Sequence, residues 1–259
     1  MKIIACGDSF TSGDEVLDDV LYPNFPGYRS DTHQNAQACM KWHLSTKKKR
    51  HANYDNIVAR EQELAFPSVL GKILGYDMVN LGVSGCSQQV ITNDVIRNVM
   101  EAEDCVVTMN ITGPNRIMFP YDNQWNSVIL GHANPDIHNS AFTSVDRIFT
   151  LNTTDLMLHE MHAIYILNAI NFLRSRSIKF VLIDSVFMTG IHNFLISNEV
   201  SYFVIKCWQE IEEQSGGIIS MTDVIRDKHI QDAYCPGGHF SKEVHSIFGA
   251  VLADRLAKL

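Results

Sequence analysis

The 259-residue sequence lacks the features that mark several classes of protein. Basic residues number 21 against 29 acidic ones, so the net charge is -8 and the chain has no overall positive field to attract nucleic acid or anionic membranes. No apolar run reaches 18 residues, and Gly7 and Asp8 interrupt the N-terminal apolar stretch after only a few residues, too early for a secretory leader. We therefore expect a cytoplasmic protein with no nucleic-acid or membrane partner, acting on a neutral substrate.

Metal and cofactor signals are equally scarce. The six cysteines show no CxxC spacing, and three lie in or beside apolar runs, so all are predicted to be free thiols: Cys6, Cys39, Cys86, Cys105, Cys207 and Cys235. His159 and His162 share a predicted helix with Asp155, but the spacing is not HExxH, and an amphipathic helix face is the favoured interpretation. The sequence predicts neither a metal nor a cofactor.

Short apolar segments alternate with helix-like segments along most of the chain. Strands are predicted at residues 2–6, 77–81, 105–111, 179–184 and 218–221, with helices at 67–74, 88–101, 155–174, 199–213 and 241–259. This alternation predicts an α/β fold, a flavodoxin-like three-layer α/β/α sandwich around a five-stranded parallel sheet. Functional groups should then gather at the carboxyl ends of the strands.

Two irregular stretches interrupt this alternation within what we predict to be a single domain over residues 1–259. They cover about 14–60 and 113–154, and both are expected to be long loops beside the substrate site. The first contains the basic run Lys47-Lys48-Lys49-Arg50, for which a solvated loop is favoured over an anion contact.

The first candidate catalytic residue is Ser9, within Gly7-Asp8-Ser9 directly after the first strand. There its hydroxyl can project from the sheet edge, and its backbone N–H can face a developing oxyanion. A second block, Val79-Asn80-Leu81-Gly82-Val83-Ser84-Gly85-Cys86-Ser87, begins at the end of the second strand. Together with the histidine block near the C-terminus, these motifs resemble the SGNH (GDSL-like) hydrolase family, and the resemblance implies the fold of that family with Ser9 as nucleophile.

The resemblance also implies an oxyanion hole. It places the glycine donor at Gly85, where the missing Cβ lets a backbone N–H approach the substrate oxygen. The third block is Thr112-Gly113-Pro114-Asn115-Arg116, in which Asn115 fits the side-chain donor, with Asn110 or Thr112 as alternatives. Arg116 stands where the family usually has aspartate.

The fourth block, Gly237-Gly238-His239-Phe240-Ser241, precedes a closing helix. By this resemblance His239 is the general base, and His245 lies inside the helix as a secondary position. The family has an aspartate three residues before this histidine, but here that position is Pro236. The orienting group could be Asp232 or a backbone carbonyl, or it could be absent, leaving a Ser-His dyad.

The implied activity is a serine esterase or O-deacetylase acting on a small acylated molecule or carbohydrate. Pro236 and Arg116 keep an alternative open, a catalytically weak SGNH-fold protein that binds a ligand or has a structural role. Acyl transfer to an acceptor other than water is a third possibility. The N-terminus without a leader and the Asn-rich loops also resemble SGNH-like proteins of large tailed bacteriophages.

Overall fold

The computed structural model describes residues 1–14, 16–17, 54–83, 85–102, 104–121, 124–130, 140–185, 202–231, 233–235 and 239–259. The basic run at residues 47–50, Cys39 and most of the first predicted insertion lie outside these ranges. The other five cysteines are buried, and no disulfide joins any two of them within these ranges, in agreement with the prediction.

The main sheet has five parallel strands, in the spatial order β2-β1-β3-β6-β7. They are β1 (Lys2–Cys6), β2 (Asp77–Asn80), β3 (Cys105–Ile111), β6 (Lys179–Asp184) and β7 (Ile218–Ser220). A separate antiparallel hairpin is formed by β4 (Arg116–Tyr121) and β5 (Gln124–Ile129). The predicted five-stranded α/β sheet is therefore confirmed, with its strands within a residue of the expected bounds.

Helices connect the strands. They are α1 (Ser9–Ser12), α2 (Tyr54–Leu64), α3 (Phe66–Leu74), α4 (Gln88–Met100), α5 (Ser140–Asn152), α6 (Asp155–Ser175), α7 (Tyr202–Ser215), α8 (Met221–Asp227) and α9 (Lys242–Ala257). Among these described helices, none has the length and apolarity needed to cross a bilayer. Ser241 occupies the N-cap of α9 as predicted, but its hydroxyl makes no capping hydrogen bond.

Alternate residues of the strands point into two separate cores. Ile4, Val107 and Leu182 pack on one face of the sheet under α4, α6 and α7. Ile3 and Val106 pack on the opposite face under α3, α8 and α9. Because neighbouring strand residues face opposite sides, strands buried on both faces read as continuous apolar runs, which is why β3 and β6 were predictable from sequence.

The stretch 113–154 is more regular than predicted. Instead of one irregular loop, its described part contains the hairpin β4–β5 and the helix α5. Ile117, Phe119 and Val128 form a small apolar cluster with Leu158 of α6. The alternation of Ile117 and Phe119 is the period-two pattern of a half-buried strand, but it is too short to stand out among Asn and Pro residues. Helix α2 likewise extends into the first predicted insertion.

A close backbone approach brings the segment after β2 against α1. A Cβ on Gly82 would lie 2.3 Å from the backbone nitrogen of Ser12 and 2.8 Å from the carbonyl carbon of Thr11. Asn80 stabilises the same contact with two hydrogen bonds. Its Nδ2 donates to the Thr11 carbonyl at 2.8 Å, and its Oδ1 accepts from the Gly82 N–H at 2.9 Å. Only glycine fits at position 82.

Gly82→Ala should destabilise the protein by about 3 kcal/mol, because the added methyl group meets backbone atoms that cannot rotate away. Gly75→Ala is the matched control, since a Cβ there meets nothing within 4 Å and carries only the strain of its φ of 67°. Its cost should be about 1 kcal/mol. Urea unfolding measures both changes, and equal costs would contradict the steric explanation.

Candidate active site

Ser9 lies at the carboxyl edge of the sheet, in the first position of α1 immediately after β1. Its side chain is buried in the turn, with 4% of the residue exposed. The Ser9 carbonyl accepts hydrogen bonds from the Ser12 hydroxyl and the Gly13 N–H, both at 3.0 Å. Hydrogen bonds within α1 and its C-cap therefore stabilise the turn that carries the candidate nucleophile.

The residue before Ser9 forms the centre of a buried polar network. Asp8 Oδ1 accepts from the Phe10 N–H at 3.1 Å and from Asn110 Nδ2 at 2.8 Å. Asp8 Oδ2 accepts from the Thr112 hydroxyl at 3.3 Å and pairs with the Arg116 guanidinium at 3.2 Å. One carboxylate thus links the nucleophile turn to the end of β3 and the start of β4.

Burial and charge oppose one another at this carboxylate. Burial raises the pKa of Asp8 above its usual value, although the Arg116 charge, the Phe10 N–H, a charge on His239 and the Thr112 hydroxyl oppose the shift. The Arg116 side chain is only 10% exposed and that of Asp8 is fully buried, so water screens the pair weakly. The influence of His239 shows that its imidazole and the Asp8 carboxylate are electrostatically coupled.

His239 lies beside the nucleophile turn. Its ring centroid is 5.0 Å from that of Phe10, the residue after Ser9. A short antiparallel contact fixes the histidine backbone, because the Cys235 N–H donates to the His239 carbonyl at 2.7 Å and Tyr234 bridges to Phe240. Phe240 in turn packs on Phe10, with ring centroids 4.9 Å apart. The fold therefore brings the first and last sequence blocks together.

Gly85 sits in the turn between β2 and α4 with a φ of +74°, in the left-handed region that glycine favours. A Cβ at this position would meet nothing within 4 Å, so the turn borders open space. The neighbouring Cys86 Sγ donates to the Gly7 carbonyl at 3.1 Å, which ties this turn to the segment after β1.

The side-chain donor expected after β3 has three candidates. Asn110 directs Nδ2 to Asp8 and also to the Ser185 hydroxyl at 3.3 Å, and Thr112 directs its hydroxyl to Asp8. Asn115 lies in the half-buried turn before β4, and its carbonyl accepts from the Leu130 N–H at 2.9 Å. The donors of Asn110 and Thr112 are thus already used, while Asn115 stays a prediction. Asp232 lies outside the described residues.

Sequence reasoning missed the network around Asp8. It treated Arg116 only as a departure from the family pattern, although the guanidinium neutralises the buried Asp8 and also donates to the Cys86 carbonyl at 3.4 Å. Ser185, which is fully buried at the end of β6, was not considered. The signal that could have predicted this network was the occurrence of polar residues directly after apolar strands.

His245 serves the packing of α9. It is completely buried, its Nδ1 accepts from the Phe66 N–H at 3.1 Å, and its ring stacks on Phe66. Burial, helped by the nearby His239, lowers the pKa of His245 to about 3. The imidazole is therefore neutral and caps the start of α3. Within the described residues, no group of three or more His, Cys, Asp or Glu side chains could hold a metal.

Comparisons with known proteins give similarity at the level of solved structures. No family model and no curated protein matches the sequence. A G-D-S-L family protein from Desulfitobacterium hafniense DCB-2 has 15% identity and a TM-score of 0.47, covering 98% of each chain. A member of the lipolytic G-D-S-L family from Veillonella parvula DSM 2008 has 11% identity and a TM-score of 0.46, covering 100% of each chain.

A third similar structure is a two-domain esterase active on acetylated mannans, with 12% identity and a TM-score of 0.45. The comparison covers 100% of this chain and 49% of the esterase, so the chain spans about half of that protein. The predicted resemblance to GDSL-like proteins thus recurs among solved structures.

Arg116→Met should destabilise the protein by about 3 kcal/mol, because it leaves the buried Asp8 carboxylate without its positive partner. Adding Asp8→Asn should restore most of this loss, since a neutral amide needs no counter-charge. Urea unfolding of the single and double variants measures the effect. A single variant within about 0.5 kcal/mol of wild type would contradict a structural role for the pair.

His245→Gln should flatten the dependence of stability on pH. In the wild type, the unfolded chain takes up a proton below pH about 6.5 and the folded chain only near 3, so His245 lowers stability as pH falls through this window. The slope is about 1.4 kcal/mol per pH unit, or about 2 kcal/mol at pH 5 relative to pH 7. Glutamine keeps an acceptor for the Phe66 N–H without titrating there.

Unfolding free energies at pH 7, 6 and 5 test this expectation. The exposed His229 provides the matched control, because His229→Gln makes the same chemical change on the surface. The prediction is wrong if His245→Gln and His229→Gln show the same slope.

Proposed function

We propose that the protein is a serine esterase or O-deacetylase that cleaves a small acylated molecule or an acylated carbohydrate. The observation that supports this most directly is the packing of His239 against the turn of Ser9, with the Phe10 and His239 rings 5.0 Å apart. The two residues are 230 positions apart in the sequence, and the chain brings them to the same edge of the sheet. The turn of Gly85 follows the neighbouring strand β2.

The proposed reaction is acyl transfer through a covalent intermediate. His239 accepts the Ser9 hydroxyl proton as Oγ bonds to the ester carbonyl carbon, and the carbonyl oxygen becomes an oxyanion. The N–H groups of Ser9 and Gly85, with the Asn115 amide, are the proposed donors to that oxyanion. The alcohol leaves with the proton from His239, and a water activated by His239 then releases the acid and restores Ser9.

Asp8 has an indirect part in this scheme. A positive charge on His239 and the Asp8 carboxylate attract one another. Arg116 pairs with the same carboxylate and opposes this attraction. Asp8 is therefore a positioning residue for the nucleophile turn rather than a substitute for the orienting aspartate of a triad.

A ligand-binding or structural protein is the second candidate. It is favoured by Arg116, which occupies the position of the family aspartate and neutralises Asp8 beside the nucleophile. In serine proteases, loss of the orienting carboxylate lowers kcat by about 10⁴, so a protein with this arrangement can retain the fold with little turnover.

Labelling with a fluorophosphonate probe, with hydrolysis of short p-nitrophenyl esters in parallel, tests the proposal. Wild type should react, and Ser9→Ala and His239→Ala should each lose at least about 10³-fold in kcat, because nucleophile and base act as a unit. The exposed Ser246→Ala and His229→Ala are the controls and should keep full activity. An inert wild type would overturn the proposal in favour of the second candidate, and labelling that survives Ser9→Ala would overturn the assignment of Ser9 as the nucleophile.

A further inference from the structure

A small cavity lies between the start of α4, the hairpin β4–β5 and α6. Its volume is about 30 Å³, and its polar lining includes Gln88, Gln89, Arg116, His162 and Tyr165. The described residues that line the cavity do not include Ser9, Gly85 or His239. The cavity is therefore distinct from the Ser9–His239 pair, although Pro114 and Arg116, on either side of Asn115, line it.

Gln88 contributes a buried donor without an acceptor. The residue is only 2% exposed, and its Oε1 accepts from the Thr112 N–H at 3.1 Å, which fixes the orientation of the amide. Its Nε2 has no hydrogen-bond partner within the described part of the chain. A buried amide N–H without an acceptor destabilises the folded protein. A bound ligand with an acceptor atom would remove this cost.

His162 contributes a second buried polar group to the same cavity. It is 3% exposed, and neither ring nitrogen has a hydrogen-bond partner among the described residues. Burial and the neighbouring His159 lower the pKa of His162 to about 3, and the Thr112 backbone, which lies near the ring without reaching hydrogen-bond geometry, opposes this shift. The ring is therefore neutral and has one N–H to donate.

The groups around the cavity favour a ligand that offers hydrogen-bond acceptors. The Arg116 guanidinium lines it while also pairing with Asp8, and Gln88 and Gln89 form the first turn of α4, where backbone N–H groups have no acceptor within the helix. No lining residue is acidic. A volume of about 30 Å³ has room for about two water molecules or two oxygen atoms. The two oxygens of a carboxylate match this size.

We propose that this cavity, defined by Gln88, Arg116 and His162, binds the carboxylate group of a small organic acid. Gln88 Nε2 and the His162 N–H donate to its oxygens, and the Arg116 guanidinium, which also pairs with Asp8, lies beside them. The binding does not require the chemistry proposed for Ser9, so it can be tested whether or not the protein is an esterase.

Formate is the probe, because it is the smallest carboxylate. Protein labelled with ¹⁵N-histidine is titrated with sodium formate to about 100 mM at pH 7, replacing a bulky sulfonate salt at constant ionic strength. The tightest Kd open to a ligand with so few atoms is about 1 mM, and the titration therefore extends to about a hundred times that value. The His162 signal, assigned by its absence from His162→Phe, should shift with a saturable dependence on formate.

Gln88→Glu provides the decisive variant. It keeps an oxygen acceptor for the Thr112 N–H but replaces the Nε2 donor with a carboxylate oxygen, so formate affinity should fall about tenfold or more. Gln62→Glu, a half-buried position on α2, adds the same charge away from the cavity and should leave the affinity unchanged.

Absence of a saturable His162 shift in wild type would overturn the proposal and indicate that the cavity holds water. Equal formate affinity in Gln88→Glu and wild type, with native circular dichroism for the variant, would place the anion elsewhere and also overturn it. The wild-type titration decides the question even if Gln88→Glu fails to fold.

Discussion

The buried carboxylate of Asp8 is the interaction on which the geometry of the candidate site depends. Both of its oxygens are in use, accepting from Phe10, Asn110, Thr112 and Arg116. An isolated carboxylate could not remain charged in this position, so its charge depends on the ion pair and on the hydrogen bonds. Because these donors come from α1, β3 and β4, the network sets the position of the Ser9 turn relative to the rest of the sheet edge.

This network also connects the two regions for which a role is proposed. Thr112 donates its hydroxyl to Asp8 on one side, and its backbone N–H donates to Gln88 on the other. Arg116 pairs with Asp8 and lines the cavity next to His162. A ligand in the cavity would therefore contact the same segment that supports the nucleophile turn. Hydrogen bonds and packed backbone, rather than a flexible linker, join the two regions.

Much of the fold was predictable from the sequence, and the exceptions have physical causes. Strands buried on both faces give continuous apolar runs, so β3 and β6 were predicted with their observed bounds. The αL glycine at position 75 marked the end of α3. The hairpin β4–β5 was missed because one face meets only a small cluster around Phe119 and Leu158, which leaves a weak alternation in the sequence. In the sequence, Gly82 was only one residue of a motif. Glycine is required at this position because the backbone contacts Ser12, which is distant in sequence.

The sequence by itself determined the alternating α/β order, the five parallel strands and the segments that carry Ser9, Gly85 and His239, because these depend on local pattern and on the direction of each strand. Only the tertiary structure decided the partners of the polar side chains. Asn110 and Thr112 could each have been a free donor, and Arg116 could have been a surface charge. Their roles follow from pairing with Asp8 across as many as 108 residues of sequence, and such pairing depends on how the strands are arranged in space.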